Sequence, residues 1–349
     1  MPAPLRIAQV APVIYPTPPG RTGGTERVVS DLTETLVAMG HDVTLIAPSD
    51  SITTAQHLSA HPSLRTLEQH HGTVAPGVPA ALEAAQLGIL RRYLDRFDMV
   101  HCHGEFAHAA VLGDRIGCSL TTVHWRLDEL DRQLFFRSFP DLPVAAISAA
   151  QARDLPRSNH AGIVHHGIPP ERFRAGPGGR GVAFIGRMTD QKRPDVAIRV
   201  ARAAGRPIWL AGGIDVGNPR YFTDSVAPLL GDDAVHVGEV DDRAKQALLG
   251  EAAALLFPID WPEPFGLVMI EAMACGTPVI AWDRGSAREV VEQGVTGFVV
   301  GSEDEAVAAL ERIETLDRAR VRERFEARFT ARRMAEDYVA LYRQLIALR

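Results

Sequence analysis

One stretch of the chain decides the fold: residues 254–282, which read ALLFPIDWPEPFGLVMIEAMACGTPVIAW. Its first six residues are an apolar run typical of a buried strand, and the Asp-Trp-Pro-Glu-Pro segment that follows predicts a loop. Residues 265–274 predict a short helix, in which Pro264 suits the first turn and which ends before Gly276. Residues 277–282 are again strand-like. This order predicts two parallel strands joined by a helix.

The same alternation of apolar runs and amphipathic stretches extends along the whole chain in two sets. The strands predicted in the first set are residues 6–13, 42–48, 99–102, 120–124 and 144–148. Those of the second set are residues 182–186, 207–212, 234–238, 254–259, 277–282 and 297–300. Helix-like patterns lie between them, as at 25–39, 79–97 and 190–204. We therefore predict an α/β protein with two doubly wound, Rossmann-like domains facing across a cleft.

A segment rich in Gly and Pro, residues 165–180, separates the two sets and predicts a linker. The domain boundaries that follow are 1–170 for an N-terminal domain and 171–329 for a C-terminal domain. The last helix-like stretch, 330–349, stands outside the alternation. One arrangement for this helix is to pack back on the N-terminal domain.

Composition narrows the class of protein. The 349 residues are 46% apolar and 23% charged, as in ordinary globular proteins. A net charge of -6 without a long basic run disfavours non-specific binding of nucleic acid. Three irregularly spaced cysteines predict no disulfide framework, and no apolar run reaches the length of a transmembrane segment. We expect a cytoplasmic protein, for which peripheral membrane contact stays open.

The segment between the two strands quoted first has the chemistry of a binding site. Backbone N–H groups of Phe265, Gly266 and Leu267 at a helix start suit an anion such as a diphosphate. Glu263 before the helix and Glu271 about two turns inside it suit hydroxyl groups, because carboxylates repel phosphates. For Glu263, stabilisation of the helix dipole is an equal alternative. Glu271 lies in the apolar run VMIEAMA, where a charge needs a partner or a function.

Two loops supply further candidates. In IGRMTDQK (185–192), Gly186 permits a tight turn, while Arg187 and Lys192 suit a leaving diphosphate; a solvated loop is the alternative. In RTGGTERVV (21–29), Gly23 and Gly24 before a helix suit either a phosphate contact or a simple turn.

Strand ends in the first half carry histidines. His101 and His103 share one face of a strand and Cys102 the other, which disfavours a zinc site. His124 ends the next strand in TTVHWRLDE (121–129), either as a capped histidine or beside a ligand. The neighbouring Trp125 is a candidate for shaping an acceptor pocket.

The run E-P-F-G-L-V-M-I-E-A-M-A-C-G-T-P-V-I, from Glu263 onwards, resembles the E-x7-E motif of retaining GT-B glycosyltransferases of family 4, glycosyl transferases group 1. The resemblance implies that Glu263 contacts hydroxyls of the transferred sugar and that Glu271 binds the nucleotide ribose. It implies that the amides of Phe265, Gly266 and Leu267 contact the sugar and phosphates.

Other elements extend the resemblance over nearly the whole chain. Residues 186–192 resemble the G-R-x-x-x-x-K element that binds donor phosphates. VHHGIPPERF (164–173) resembles the V-x-N-G-I-D-x-x-x-F linker, with His166 in place of Asn and Pro169 in place of Asp. By the same resemblance, Gly212 and Val240 flank the nucleotide base.

In the first half, the resemblance implies a Gly23-Gly24 loop that closes over donor and acceptor. It also implies that the H-x-H strand end faces the cleft and that His124 lies beside sugar and acceptor. The acceptor-side candidates are His103, His124, Trp125 and Glu26, although Glu26 in a first helical turn also suits a role in stabilising the dipole.

The resemblance implies a retaining, hexosyltransferase-type enzyme. Its donor would be a nucleoside-diphosphate sugar, with UDP-sugar favoured. Its acceptor is unidentified and would be a glycan, a lipid-linked glycan or a small molecule. The catalytic candidates are Glu263, His124, Arg187 and Lys192. No metal and no cofactor besides the donor substrate is expected. Two alternatives stay open: a sugar-nucleotide epimerase or hydrolase of the same fold, and a non-catalytic sugar-nucleotide-binding protein.

Overall fold

A computed structural model describes residues 3–20, 23–104 and 106–348. The chain divides into two compact units, one of Met1–Gly167 with Ala331–Arg349 and one of Ile168–Thr330. Three residues of the predicted loops, Arg21, Thr22 and Glu105, lie outside the described residues.

The first unit contains a parallel sheet in the order β3-β2-β1-β4-β5-β6-β7. Its strands are β1 (Arg6–Val10), β2 (Asp42–Ile46), β3 (Gln56–Leu58), β4 (Met99–Cys102), β5 (Ser119–Thr122), β6 (Val144–Ala146) and β7 (His160–Ile163). The central strands are buried almost throughout, as expected when helices cover both faces of a parallel sheet. The sequence patterns missed β3 and β7, because these edge strands are short and partly exposed and lack a continuous apolar run.

Helices cover this sheet on the two sides. The helices within the segment Met1–Gly167 are α1 (Gly24–Ala38), α2 (Leu64–His71), α3 (Val78–Tyr93), α4 (His108–Leu112), α5 (Leu130–Ser138) and α6 (Ala149–Ala152). Leu90 of α3, Val100 of β4 and Phe136 of α5 belong to one buried cluster, so the core of the unit lies between the sheet and these helices.

The second unit repeats the arrangement with six parallel strands in the order β10-β9-β8-β11-β12-β13. They are β8 (Val182–Ile185), β9 (Ile208–Ala211), β10 (Ala234–Gly238), β11 (Ala254–Phe257), β12 (Val279–Trp282) and β13 (Gly297–Val300). Its helices are α7 (Pro194–Ala203), α8 (Pro219–Tyr221), α9 (Asp242–Glu251), α10 (Leu267–Ala274), α11 (Ala287–Val290), α12 (Glu303–Glu311) and α13 (Arg318–Arg328). Both sheets thus have the strand order of a Rossmann fold, and the prediction of an α/β protein with two doubly wound, Rossmann-like domains is confirmed.

The strand order reverses between β1 and β4 in the first sheet and between β8 and β11 in the second. In open parallel sheets, ligands bind outside the carboxyl ends of the strands at such a reversal. The loops after β1 and β4 and the loops after β8 and β11 are therefore where the functional residues of each unit are expected.

The last helix, α14 (Ala331–Ala347), belongs to the first unit and packs against α1. Two fully buried tyrosines attach it to the sheet. The hydroxyl of Tyr342 lies 2.6 Å from Nδ1 of His101 and 3.2 Å from Nε2 of Gln9. The hydroxyl of Tyr338 lies 2.9 Å from Oγ1 of Thr122. The helix thus completes hydrogen bonds of side chains on β1, β4 and β5.

We predict that Tyr342→Phe lowers the free energy of unfolding of the first unit by about 1–3 kcal/mol, because the buried polar atoms of His101 and Gln9 lose a partner. Urea denaturation measures the change. The control is Tyr93→Phe, at a half-buried tyrosine outside this network, which should change stability by less than about 0.5 kcal/mol. Equal effects of the two substitutions would contradict the role of the Tyr342 hydroxyl.

Candidate active site

Helix α10 begins later than the sequence predicts. Its first residue is Leu267, and Gly266 before it has a left-handed conformation with φ 80°. This left-handed conformation favours glycine, and a Cβ atom there would also lie 2.7 Å from Cε of Met269, which would have to move. The prediction that Pro264 occupies the first turn and that Phe265 begins the helix is wrong, because the left-handed Gly266 interrupts helical geometry. Glu271 consequently lies only about one turn inside the helix.

A buried ion pair joins the loops after β8 and β11. Nζ of Lys192 contacts Oε2 of Glu263, and Nε1 of Trp261 donates to the same oxygen at 2.7 Å. The ammonium group also lies 4.9 Å from the centre of the Trp261 ring. Lys192 is part of a loop because α7 begins only at Pro194, two residues later, and not at 190 as predicted. The structure therefore brings together a cation and a carboxylate that sequence reasoning treated separately.

A second buried pair lies inside the unit. Glu271 of α10 accepts a hydrogen bond at 2.8 Å from Nζ of Lys245, on the neighbouring helix α9. The two side chains are 6% and 13% exposed. A buried carboxylate requires such a partner, and this pairing answers why a charge is tolerated in an apolar helix. The bond from Lys245 is made to Oε1 of the carboxylate.

The backbone around Glu263 is held by the loop after β12. The N–H of Ser286 donates to the carbonyl of Glu263 at 3.0 Å, and its hydroxyl donates to the carbonyl of Phe265 at 2.7 Å. Gly285 has φ 53°, and a Cβ there would lie 2.1 Å from the oxygen of Glu263. This close approach fixes the path of the loop that precedes α10.

The remaining candidates of the second unit lie at strand ends. Arg187 follows β8, is 54% exposed and lies 3.5 Å from a carboxylate oxygen of Asp215. Gly212 follows β9, where a Cβ would lie 1.9 Å from the oxygen of Gly186. Val240 follows β10 and is half-buried. Because this contact is long, a more highly charged anion can replace Asp215 as the partner of Arg187.

In the first unit, a chain of hydrogen bonds connects histidines at the ends of β4 and β5. Nε2 of His103 lies 2.8 Å from Oε1 of Gln9, and its Nδ1 lies 2.9 Å from Nε2 of His124. The ring of His166 stacks on His124 with centroids 5.2 Å apart. The rings of His101 and His103 lie 4.0 Å apart, which confirms that they share one face. The residue that replaces the family's Asn thus contacts a predicted site residue.

Burial keeps these imidazoles neutral. Burial lowers the pKa of His124 to about 3. It also places the pKa values of His101, His103 and His166 well below the usual range, and repulsion by neighbouring positively charged side chains lowers these three further. Burial likewise raises the pKa of Glu26, whereas backbone N–H groups of Glu26 and Tyr15 oppose that shift. Among the described residues, no group of three or more His, Cys, Asp or Glu side chains is arranged to hold a metal ion.

The glycine loop before α1 is described from Gly23 onwards. Gly23 has φ 128°, and a Cβ there would lie 2.8 Å from Cβ of Pro19 and 3.0 Å from Oε2 of Glu26. Gly24 is the first residue of α1. Trp125, after β5, is 36% exposed. Glu26, His103, His124 and Trp125 all line one cavity of the first unit.

Comparison with known proteins follows the same division of the chain. Residues 22–179 match the family described as Glycosyltransferase Family 4, and residues 171–330 match the family described as Glycosyl transferases group 1. The chain belongs to the GT-B glycosyltransferases of family 4. The resemblance drawn from the E-x7-E run is thereby confirmed, and the protein is a member of an enzyme family of the transferase class.

Individual relatives agree with this family. D-inositol 3-phosphate glycosyltransferase of Mycobacterium avium (strain 104) is 33% identical over 276 residues, 65% of this chain and 64% of the relative. The enzyme of that name from Mycobacterium marinum (strain ATCC BAA-535 / M) is 34% identical over 161 residues, 41% of this chain and 34% of the relative. The chain thus spans between one third and two thirds of the length of these relatives.

Among solved structures, AviGT4, a glycosyltransferase involved in avilamycin A biosynthesis, has a TM-score of 0.75 and 26% identity, with 99% of this chain and 98% of that chain covered. No helix within residues 3–20, 23–104 and 106–348 is long and apolar enough to span a bilayer.

The candidate residues fall into two groups. One group surrounds the loop before α10 in the second unit, and the other surrounds the carboxyl ends of β1, β4 and β5 in the first unit. Sequence reasoning missed Lys245, Trp261, Ser286 and Gln9, which act on the candidates through hydrogen bonds. The sequence held a signal for Lys245 alone, since a charge in the apolar run VMIEAMA requires an opposite charge nearby.

We predict that Lys245→Met lowers the free energy of unfolding of the second unit by about 3 kcal/mol, because Glu271 stays buried without its counter-charge. The double variant Lys245→Met, Glu271→Gln should recover part of that loss. Arg288→Met, which breaks the exposed pair with Asp283, is the matched control and should cost less than about 1 kcal/mol. A loss of unfolding free energy as small as that of the control would contradict the prediction that Glu271 needs Lys245 as a counter-charge.

We also predict that acid destabilises the first unit from pH 6.5 downwards. A histidine titrates near pH 6.5 in the unfolded chain, whereas His108 has a pKa of about 4 and His124 of about 3 in the folded one. The unfolded state therefore binds more protons in this window, and each histidine removes up to about 1.4 kcal/mol per pH unit as the pH falls. Denaturation at pH 7.5, 6.5 and 5.5 measures the slope. His108→Gln should reduce the slope by the contribution of about one bound proton. An unchanged slope would contradict the low pKa assigned to His108.

Proposed function

We propose that this protein is a retaining glycosyltransferase that moves a sugar from a nucleoside-diphosphate sugar to a hydroxyl group of an acceptor. The observation that carries the proposal is the meeting of Lys192, Glu263 and the left-handed Gly266 at the carboxyl ends of β8 and β11. These two strands flank the reversal of strand order, where a nucleotide ligand is expected in a Rossmann fold.

The diphosphate is proposed to bind to cations and backbone. Lys192 is a three-proton donor, so it can keep its bond to Glu263 and donate to a phosphate oxygen as well. Arg187 is exposed and its contact with Asp215 is long, so its guanidinium can form a bidentate bond with a phosphate. The N–H groups that begin α10 at Leu267 add the positive end of the helix dipole. These groups supply positive charge without a metal ion.

The carboxylates are proposed to bind hydroxyl groups of the donor. Glu263 is oriented by Lys192 and Trp261 and would accept hydrogen bonds from the transferred sugar. Glu271, fixed by Lys245, would accept bonds from the ribose. Gly212 and Val240, at the ends of β9 and β10, would flank the base. UDP is favoured as the carrier because it is common in the family.

The reaction proposed breaks the bond between the anomeric carbon and the diphosphate oxygen, and the bonding electrons leave with the diphosphate. The acceptor oxygen attacks the same face of the sugar, and its proton passes to the departing phosphate oxygen. Arg187 and Lys192 stabilise the charge that develops on the leaving group. Glu263 orients the sugar and forms no covalent bond. The acceptor is the least defined partner; the mycobacterial relatives are named for D-inositol 3-phosphate.

We predict that Arg187→Ala lowers kcat about 100-fold or more with a nucleoside-diphosphate sugar, because the leaving group loses a charged donor. Since the side chain is exposed, the melting temperature should stay unchanged. Arg320→Ala, at an exposed arginine of α13, is the control and should retain full activity.

Three readouts separate the proposal from its alternatives: product with acceptor, product without acceptor, and donor affinity by calorimetry. Transfer only in the presence of an acceptor, with the anomeric configuration retained, supports the proposal. Equal product formation from the donor alone favours an epimerase or hydrolase. Donor binding without turnover in any acceptor extract favours a non-catalytic binding protein, and either result overturns the proposal.

A further inference from the structure

The loop after β11 places one aromatic side chain against both members of the Lys192–Glu263 pair. Trp261 is buried and lies two positions before Glu263 in the chain. Its Nε1–H donates to Oε2 of Glu263 at 2.7 Å, and Nζ of Lys192 lies over its ring, 4.9 Å from the centre. The edge of the indole thus contacts the carboxylate, while its face contacts the ammonium group.

These contacts close a triangle of three side chains. Nζ of Lys192 also contacts the same Oε2 atom that accepts the indole hydrogen bond. The side chains of Lys192 and Glu263 are 18% and 10% exposed, so water screens their interactions only weakly. Rotation of any one of the three side chains would break its contacts with both of the others. The triangle therefore fixes the carboxylate and the ammonium group together.

The backbone keeps the indole in place. The N–H of Asp260 donates to the carbonyl of Gln191 at 2.8 Å, which ties the loop after β11 to the loop that carries Lys192. The N–H of Glu263 donates to the carbonyl of Trp261 at 2.8 Å, so the chain turns tightly between these two residues. Because the loops are joined in this way, the indole stays against both of its partners.

A second ring touches the ammonium group alone in this triangle. Phe257, at the end of β11, lies with its ring centre 5.6 Å from Nζ of Lys192. An ammonium group within about 6 Å of a ring centre is attracted by the π electrons. Lys192 is thus held by two aromatic faces and one carboxylate, whereas the indole edge acts on Glu263.

Tryptophan supplies both contacts because its indole combines a large π face with an N–H donor at the edge. Phenylalanine keeps a face but has no donor, and leucine has neither. The two contacts can therefore be removed in steps. Trp261→Phe deletes the hydrogen bond to Glu263, and Trp261→Leu also deletes the ring beneath Lys192.

We propose that Trp261 is a positioning residue for the donor substrate and that it acts separately on the two parts of that donor. This inference rests on the proposed function, in which Glu263 binds hydroxyl groups of the sugar and Lys192 binds the diphosphate. The indole N–H holds the carboxylate in the orientation that binds the sugar. The indole face holds the ammonium group in the position that binds the diphosphate.

The test is calorimetry of the full chain with two pairs of ligands: UDP with UDP-glucose, and GDP with GDP-mannose. Within the pair that the wild type binds, the ratio of the two dissociation constants measures the contribution of the sugar. Trp261→Phe should weaken binding of the sugar nucleotide at least about tenfold, because Glu263 loses a hydrogen bond to its charged group. Binding of the nucleoside diphosphate should stay within about twofold of the wild type.

Two further variants should give different patterns. Trp261→Leu should weaken the nucleoside diphosphate several-fold in addition to the loss for the sugar, because the ammonium group loses one ring. Phe257→Leu removes the other ring, so it should weaken the nucleoside diphosphate and its sugar nucleotide by the same factor. Melting temperatures show whether each variant is folded.

Trp209→Phe and Trp209→Leu are the matched controls. Trp209 lies on β9 of the same unit, where its ring packs against Gly181 and is partly exposed. These substitutions should change neither dissociation constant. A merely structural role for Trp261 would weaken both members of a ligand pair equally, and this result with Trp261→Phe would overturn the inference.

A double-mutant cycle locates the effect of the indole N–H. In a Glu263→Ala background, Trp261→Phe should cause no further loss of sugar-nucleotide binding, because the acceptor of the hydrogen bond is already gone. Losses that add up would show that Trp261 does not act through Glu263. The single variants decide the question where the double variant does not fold.

Failure of this inference is distinguishable from failure of the proposed function. Unchanged binding of the sugar nucleotide by Trp261→Phe overturns the inference alone, since the wild type still binds and transfers its sugar. Absence of acceptor-dependent product with the wild type overturns the transfer reaction without affecting the binding ratios. A wild type that binds neither ligand pair would overturn both.

Discussion

In each unit, the strand order reverses between two central strands, and the meeting of Lys192 with Glu263 depends on that reversal. Loops that follow β8 and β11 diverge to opposite faces of the sheet, so a gap opens between them where side chains from both loops meet. Lys192 and Glu263 form their ion pair there. In the first unit, the corresponding gap lies after β1 and β4, beside the cavity lined by Glu26 and His103.

Burial of charge then decides which groups are available to a ligand. In the second unit, Lys192 and Lys245 each pair with a glutamate in a region of low exposure. In the first unit, burial lowers the pKa of the histidines at the strand ends, so these imidazoles are neutral. The two units thus differ in chemistry: paired charges and an exposed cation in one, and neutral imidazoles beside aromatic rings in the other.

The sequence predicted the strands with continuous apolar runs, the two-domain class and the family, because these depend on periodicity and on a dense local motif. It failed where tertiary structure overrides local pattern. The edge strand β3 (Gln56–Leu58) is too short and too polar to be recognised, and the start of α10 depends on the left-handed Gly266. Contacts between segments distant in sequence, such as Gln9 with Tyr342, leave no local pattern at all. The fold was therefore more predictable than the partners of each candidate residue.

The attachment of α14 to the first unit has a consequence for the order in which the protein is made. Tyr338 and Tyr342 hydrogen-bond to side chains on β1, β4 and β5, more than 200 positions earlier in the chain. During synthesis, all residues of the second unit, up to Thr330, are translated before this helix. The buried hydrogen bonds between α14 and the sheet of the first unit can therefore form only after the whole second unit has been translated. The unit that contains the first strands of the chain thus depends for these bonds on residues that follow the entire second unit.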